Sequence, residues 1–586
     1  RDSTVSPLMA SLRLLTLSLA GSLTFIPLLA ASSIAASHGY LLGSGAHYAV
    51  PPPSHECSPR VMIAAPHTRS SCRRRRPLVM VAHSKLHLSH KRQIDAEFLR
   101  IALPAFAQFA AEPLARLVDT AYLGRLGTVA LGGAGAAIAA QYAIAKLYND
   151  PLLRSTISIV ASQEGAGADA RADAAASALA LALVVGLAQA LFYLIFAGPI
   201  LTASCVGPSS EMRSAALGYL RVCAIGAPTT TVWLVCNGIY RGLGDTSTPL
   251  LWALVFTVLN LVFDGIFIFP LGMGAAGAAA GTALSQTLAL APLLGSLQRK
   301  LQKARQEEAT LLGNVYTPGH LLRPAGGLQS AYECIRAYLL AGGLMLVRTV
   351  GKISAYSVCA REAARLGASA SAAHNLCFQL GVATTQLCES LGVATQTLLA
   401  RELSRSEAND DGTALRPQVD QSSECKQSSL PPRAPVLRHI LGRGVGLGVV
   451  LAGSLAALTF VNRQRVINGL TSIPEVQQAA ISVMPFVLAC QTLKGLAYPL
   501  NGALMGGLDW GFSAAAMWAA QISCVSAVAL LSHGGRRPLS LYGLWGTLVL
   551  LFSVQIVSAA LRMASGSGPW QALYANSEDT AHEAGC

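Results

Sequence analysis

The sequence predicts an all-α membrane protein of twelve transmembrane helices in two six-helix bundles related by a parallel repeat. Three observations point there. Of 586 residues, 52% are hydrophobic and only 12% charged, whereas soluble domains carry about 25% charge. From Glu97 onward, apolar stretches of about 20 residues recur, the length that crosses a bilayer as a helix. Short motifs of the first half also return, in the same order, in the second. The 54 glycines agree, because close helix packing in lipid favours small residues. This composition rules out a disordered chain and argues against a soluble enzyme.

Residues 1–94 read as a targeting arm with signal-like and transit-like parts. Eleven Arg and Lys face two acids there, a balance of +9, which leaves only +5 of the chain's +14 for the rest. A nucleic-acid surface is therefore a poor explanation of the charge. The apolar run from Leu8 to Ala36 is followed by Pro51-Pro52-Pro53 and Arg73-Arg74-Arg75-Arg76, the acid-poor, Arg- and Ser-rich composition of organelle transit peptides. This order predicts a cleaved arm and a plastid reached through the secretory route. The rival is an anchor with a basic cytosolic arm. His83, His87 and His90 read as solvated. The 13 cysteines are scattered with no Cys-x-x-Cys pair, so neither a disulfide framework nor a zinc site is expected.

The predicted spans cover about 98–122, 129–160, 174–197, 219–240, 249–270, 275–297, 337–360, 371–400, 441–461, 478–505, 511–532 and 540–562. The domains follow: an N-terminal bundle over 95–297, an inter-bundle loop over 298–336, a C-terminal bundle over 337–562 and a polar tail over 563–586. Residues 401–440, polar and Pro-rich, read as a second loop. Arg125-Leu126-Gly127-x-x-Ala130 returns as Arg365-Leu366-Gly367-x-x-Ala370. Asn237-Gly238-x-x-x-Gly242-x-x-Asp245 returns as Asn501-Gly502-x-x-x-Gly506-x-x-Asp509. Six spans per half preserve orientation, which makes the repeat parallel, as in many secondary transporters.

Ionisable groups inside apolar helices cost a few kcal/mol each and persist mainly where they line water or pair. Asp119 ends the first span, Asp264 lies in the fifth and Glu389 in the eighth. Asn260 and Asp264 are four apart and share a helical face, and Thr282 of the sixth span can approach the same space. A carboxylate in such a part-polar pocket can exchange a proton or, with other oxygens, hold Na+. Cations also fall within the spans: Arg116, Lys146, Arg348, Lys352 and Lys494. Arg348 and Lys352 share a face, and two unpaired neighbouring cations would favour an anionic substrate; the bland alternative is that they snorkel to the interface. Gly242-Leu243-Gly244-Asp245 matches a string of intramembrane aspartyl proteases. That chemistry needs a second Asp sharing a proton, and the family's Tyr-Asp and Pro-Ala-Leu strings do not occur. Asp245 reads instead as a cap leading into Thr246-Ser247-Thr248-Pro249.

Taken together, Glu112-Pro113, Val118-Asp119-Thr120-Ala121-Tyr122-Leu123-Gly124-Arg125-Leu126-Gly127, Arg241-Gly242-Leu243-Gly244-Asp245-Thr246-Ser247-Thr248-Pro249, Asn260-x-x-x-Asp264 and Gly272-x-Gly274-Ala275-Ala276-Gly277 resemble the multidrug and toxic compound extrusion (MATE) family over about 97–562. Ala145-Lys146-Leu147-Tyr148-Asn149-x-Pro151 and Pro499-Leu500-Asn501-Gly502 resemble its DinF-like plant branch of citrate exporters and plastid-envelope carriers. The resemblance implies two bundles facing a central cavity, and export of an organic compound, favoured here as an organic anion with a xenobiotic as alternative, in exchange for H+ or Na+. It places a cation-coupling site at Asp119, Asn260, Asp264 and Thr282, and keeps a carboxylate at Glu389. Arg116 departs from the family pattern; a pair with Asp119 would weaken that acid as a proton carrier.

The sequence therefore predicts a membrane-embedded antiporter, not an enzyme, with Lys146, Arg348, Lys352 and Glu389 lining the substrate cavity. No catalytic residue, metal or cofactor is expected beyond H+ or Na+ as coupling ion. The expected partners are the lipid bilayer and a small organic substrate, without nucleic acid, in a chain that works plausibly as a monomer. The favoured membrane is the plastid envelope, with the plasma membrane or vacuole as alternatives. A lipid-linked precursor flippase of related fold is the second transport reading.

Overall fold

A computed structural model describes the chain from residue 91 to 574, apart from 112–121, 124, 127, 205, 312–326, 411–432 and 533–538. The targeting arm, as far as residue 90, lies outside the described residues. So do Glu112, Arg116 and Asp119.

Among the described residues the structure is helical, without strands. Helix α1 covers 91–111. It is followed by α2 (Thr128–Ser162), α3 (Ala168–Ala203), α4 (Arg213–Gly242), α5 (Ser247–Ile268), α6 (Gly274–Leu311) and α7 (Gly327–Arg365). Then come α8 (Ala368–Thr385), α9 (Glu389–Asp410), α10 (Arg433–Val461), the short α11 (Arg463–Leu470), α12 (Pro474–Gly506), α13 (Trp510–Leu531) and α14 (Leu541–Ala564). One 3-10 turn, Gln386–Cys388, joins α8 to α9, so the two make a single broken span and the long elements number twelve. Nine helices among the described residues are long and apolar enough to cross a membrane.

The repeat is visible in the packing. In the first half α4 packs against α2, α3 and α6, and α5 against α6. In the second, α12 packs against the broken α8–α9 span, α10 and α14, and α13 against α14. The repeated motif explains this register. A Cβ added to Gly242 would lie 2.8 Å from the Ile157 carbonyl oxygen, and one added to Gly506 would lie 2.7 Å from that of Gln396. Both glycines are there because the neighbouring backbone is. The two asparagines of the repeated motif are both bonded, but by elements of different rank: Gln108 of α1 donates to Asn237 (2.9 Å) and Gln555 of α14 to Asn501 (3.1 Å). Asp245 takes Lys300 of α6 (2.6 Å) as Asp509 takes Arg562 of α14 (2.8 Å).

The structure corrects two expected boundaries. The described part of the inter-bundle loop, 298–336, is helix: α6 continues to Leu311 and α7 begins at Gly327. Arg299, Lys300, Lys303 and Glu307 are exposed on the outer side of this extension, while Arg305 and Glu308 share its inner side with Leu297 and Leu301. Leu297 and Leu301 are buried, while Arg305 reaches Asp169 (2.8 Å) and Asp173 (3.7 Å). Glu308 accepts the Ala168 backbone N–H at the start of α3 (2.5 Å). Likewise the polar tail folds back over Gly568–Leu573. Trp570 is buried and donates its indole N–H to Asp509 (3.2 Å).

Candidate functional site

Two polar sites lie within the spans. The first is in the N-terminal half. Asp264 of α5 is fully buried, at 0% exposure. The Asn260 amide, one turn earlier, donates to Asp264 (3.0 Å) and to Thr282 of α6 (3.1 Å); the Thr282 hydroxyl in turn donates to the Ala278 carbonyl (3.0 Å). Small residues allow this approach. A Cβ on Gly277 would lie 2.8 Å from the Phe267 carbonyl carbon, and one on Gly281 would fall on the Asp264 carboxylate. The structure thus brings Asn260, Asp264 and Thr282 together. The arrangement sets a carboxylate, an amide and a hydroxyl around one buried point, the donor set that exchanges a proton or holds a small hard cation.

The second site lies between the halves, on α2, α7 and α9. Lys146, Asp150 and Arg154 follow one another at intervals of four on α2 and so share a face. Asp150, 6% exposed, receives Lys146 (3.2 Å), Arg154 (3.4 Å) and Lys352 (3.9 Å). Arg154 also reaches Glu389 across the bundles (2.6 Å). Glu389 sits in the first turn of α9, where the helix dipole favours an anion. Arg348, 5% exposed, has no hydrogen-bond partner for its Nε among the described residues. It lies within electrostatic reach of Arg154, Asp150 and Glu389.

All four cavity residues expected from the sequence, Lys146, Arg348, Lys352 and Glu389, meet in this cluster. The expectation of two unpaired cations is corrected for Lys352, which has Asp150 beside it. Sequence reasoning passed over Asp150 and Arg154. The signal was present: charges of alternating sign at Lys146, Asp150 and Arg154. Four cations against two acids leave two positive charges in excess. The burial of Arg348 excludes snorkelling for that side chain. Asn149, from the same motif, plays another part. It accepts from Gln189 (3.2 Å) and Thr231 (3.3 Å), a buried polar contact joining α2, α3 and α4.

At one end of the molecule the halves are tied together. Arg401 of α9 reaches Glu97 of α1 (3.0 Å) and Glu164 between α2 and α3 (2.6 Å), and donates to the Gly242 carbonyl (3.3 Å). Arg405 adds a second contact to Glu164 (3.1 Å). A turn deeper, Thr397 donates to the Arg241 carbonyl (3.1 Å), and Gln396 to the Arg154 carbonyl (2.9 Å) and to Ser158 (2.7 Å). Asp245, the residue of the protease-like string, accepts the Thr248 N–H (3.0 Å), the Thr248 hydroxyl (2.8 Å) and Lys300 (2.6 Å). Its contacts are those of a helix start.

The family model MatE matches residues 104–266, a stretch that holds Asp119, Asp150, Arg154, Asn260 and Asp264. Protein DETOXIFICATION 44, chloroplastic, of Arabidopsis thaliana is 29% identical over 496 residues, covering 83% of this chain and 85% of its own. Protein DETOXIFICATION 45, chloroplastic, of the same plant is 28% identical over 83% of this chain and 81% of its own. Among solved structures, a crystal structure of MATE in the straight conformation superposes with a TM-score of 0.62 at 18% identity, covering 82% of this chain and 96% of that one.

Proposed function

We propose that this chain, which is similar to the multidrug and toxic compound extrusion (MATE) family along most of its length, is a multi-pass membrane transporter of that family and not an enzyme, and that it exports an organic anion in exchange for H+ or Na+. One observation carries the substrate class. The cluster between the halves holds Lys146, Arg154, Arg348 and Lys352 against Asp150 and Glu389. Two uncompensated cations away from water are costly, and a bound carboxylate supplies the missing charge. The coupling ion binds at Asp264 with Asn260 and Thr282, and the family resemblance adds Asp119 to them. Ion and substrate then bias the same alternating-access equilibrium, each by binding one state better than the other. The chloroplastic names of two relatives support the plastid envelope as the membrane.

The test is uptake into proteoliposomes of citrate, a phenolic acid and a cationic dye by one preparation. Replacing both Arg348→Gln and Lys352→Gln should cut anion transport at least tenfold and leave dye transport within about twofold, since the loss of one charge-assisted contact alone is worth about 1.5–3 kcal/mol. Equal small effects on anion and dye would defeat the anion reading and leave the family assignment standing.

A further inference from the structure

The C-terminal half contains a second polar pocket, apart from the ion-pair cluster. Helices α7, α8, α12 and α14 surround about 270 Å3 of atom-free space, open solvent included, lined in part by Tyr356, Phe378, Gln491, Lys494, Trp545 and Phe552. Two hydrogen-bond donors of this lining, the Gln491 amide and the Trp545 indole, are unmet among the described residues. Gln491 is 2% exposed, and neither its amide nitrogen nor its oxygen has a partner among the described residues. Trp545 is buried, and its indole N–H is likewise unmet. The Lys494 ammonium lies 5.1 Å from the centre of the Phe552 ring and 5.6 Å from that of Phe378. No carboxylate comes within 4.0 Å of it among the described residues. Gln491 and Lys494 are three apart on α12 and so share a face.

Ring faces attract a cation but do not neutralise it. Buried polar groups are nearly always bonded, and an ammonium, an amide N–H2 and an indole N–H offer more donors than the Gln491 oxygen and the Tyr356 hydroxyl can accept. Such a set rejects a metal ion and leaves a charge of one to be balanced. We propose that this pocket is a binding site for a monovalent anion, a halide or the carboxylate of a small organic acid, held by Lys494 Nζ, Gln491 Nε2 and Trp545 Nε1. The enclosed part of this space has room for about one water-sized group, so the guest is a single ion or the carboxylate end of a small acid entering from the open side. It is separate from the proposed export site and requires neither antiport nor anion export.

Thermal unfolding of the purified full-length chain tests it. Sodium bromide and sodium acetate are titrated separately into a sulfate buffer of constant sodium and ionic strength. A ligand that binds the folded state raises the melting temperature in a saturating manner. Saturation with bromide alone identifies a halide site; saturation with acetate identifies a carboxylate site. Lys494→Gln should weaken the response at least tenfold, and Arg405→Gln, outside both this pocket and the ion-pair cluster, should leave it intact. Trp545→Phe keeps a ring in place and removes only the N–H. It should weaken the response severalfold and serves if the Lys494 variant does not fold. A response that never saturates, that survives both the Lys494 and Trp545 changes, or that is lost with Arg405 overturns the proposal.

Discussion

Asp150 alters the electrostatics of the region between the halves more than any other side chain, and its residue type alone does not reveal this. It stands between Asn149 and Pro151, which in isolation reads as the polar end of a span. Only the continuity of α2 over 35 residues places it mid-helix, one turn from Lys146 and one from Arg154. Asp264 was legible for the opposite reason: it is an isolated acid in an apolar run with Asn260 four residues earlier. Thr282 required the approach of α6 to α5, which the glycines at 277 and 281 permit but do not announce. The coupling role is a residue-scale claim. Asp264→Asn keeps the shape of the side chain and its contact with Asn260, so the variant should fold, with a melting temperature within a few degrees of the parent. It should lose ion-driven uptake in proteoliposomes while still binding substrate. Full gradient-driven uptake by the variant would remove Asp264 from the coupling site.

At the scale of elements, charge was mistaken for loop. The run Arg299-Lys300-x-x-Lys303-x-Arg305 reads as a connection when its polarity is weighed alone. As helix, it keeps Leu297 and Leu301 on the bundle, turns Arg305 to Asp169 and brings Lys300 to Asp245. The α6 extension therefore holds the start of α5. Burial pushes the Asp245 carboxyl upward, but the hydrogen bonds from Lys300 and Thr248 outweigh it and hold the group below its ordinary value. The folded state then binds the proton less readily than the unfolded one. The stabilisation is complete above the unfolded value, about pH 4, and is lost as pH falls through the lower folded value. Lys300 is partly exposed, so the contribution is about 1 kcal/mol or less. Asp245→Asn should lower the melting temperature by a constant amount from pH 8 to 5, and the gap should narrow below pH 4. A gap that widens on acidification would show that the contact is not the source of the effect.

Across the whole molecule the repeat was legible in its glycines, because a residue that lacks a side chain where backbones meet must recur wherever the meeting recurs. It is not a perfect copy. Gly244 and Leu508 occupy equivalent turns with positive φ, 69° and 54°, a conformation that Gly adopts freely and Leu does not. The difference falls where the halves touch: a Cβ on Gly244 would lie 2.5 Å from an Arg401 guanidinium nitrogen, whereas Leu508 is exposed. That nitrogen is the movable end of a long side chain, so it is the positive φ of the turn that fixes Gly244. Arg401 joins α9 to Glu97, Glu164 and the Gly242 carbonyl, and every one of those partners belongs to the N-terminal half. If transport proceeds by rocking of the halves, these contacts exist in one state and are absent from the other. Their removal then shifts the population by their whole differential worth. Arg401→Ala should populate a form in which this end is open. Spin labels at Ala166 and Ser404, in a background without reactive thiols, should report a longer distance in the variant than in the parent. The shift should be larger than that from Arg405→Ala, which removes a second contact to Glu164 and one to Glu402 on its own helix. Identical distance distributions in the Arg401 variant and the parent would mean that the tie does not hold the halves together, and that the closed end rests on Gln396, Thr397 and the apolar packing beneath them.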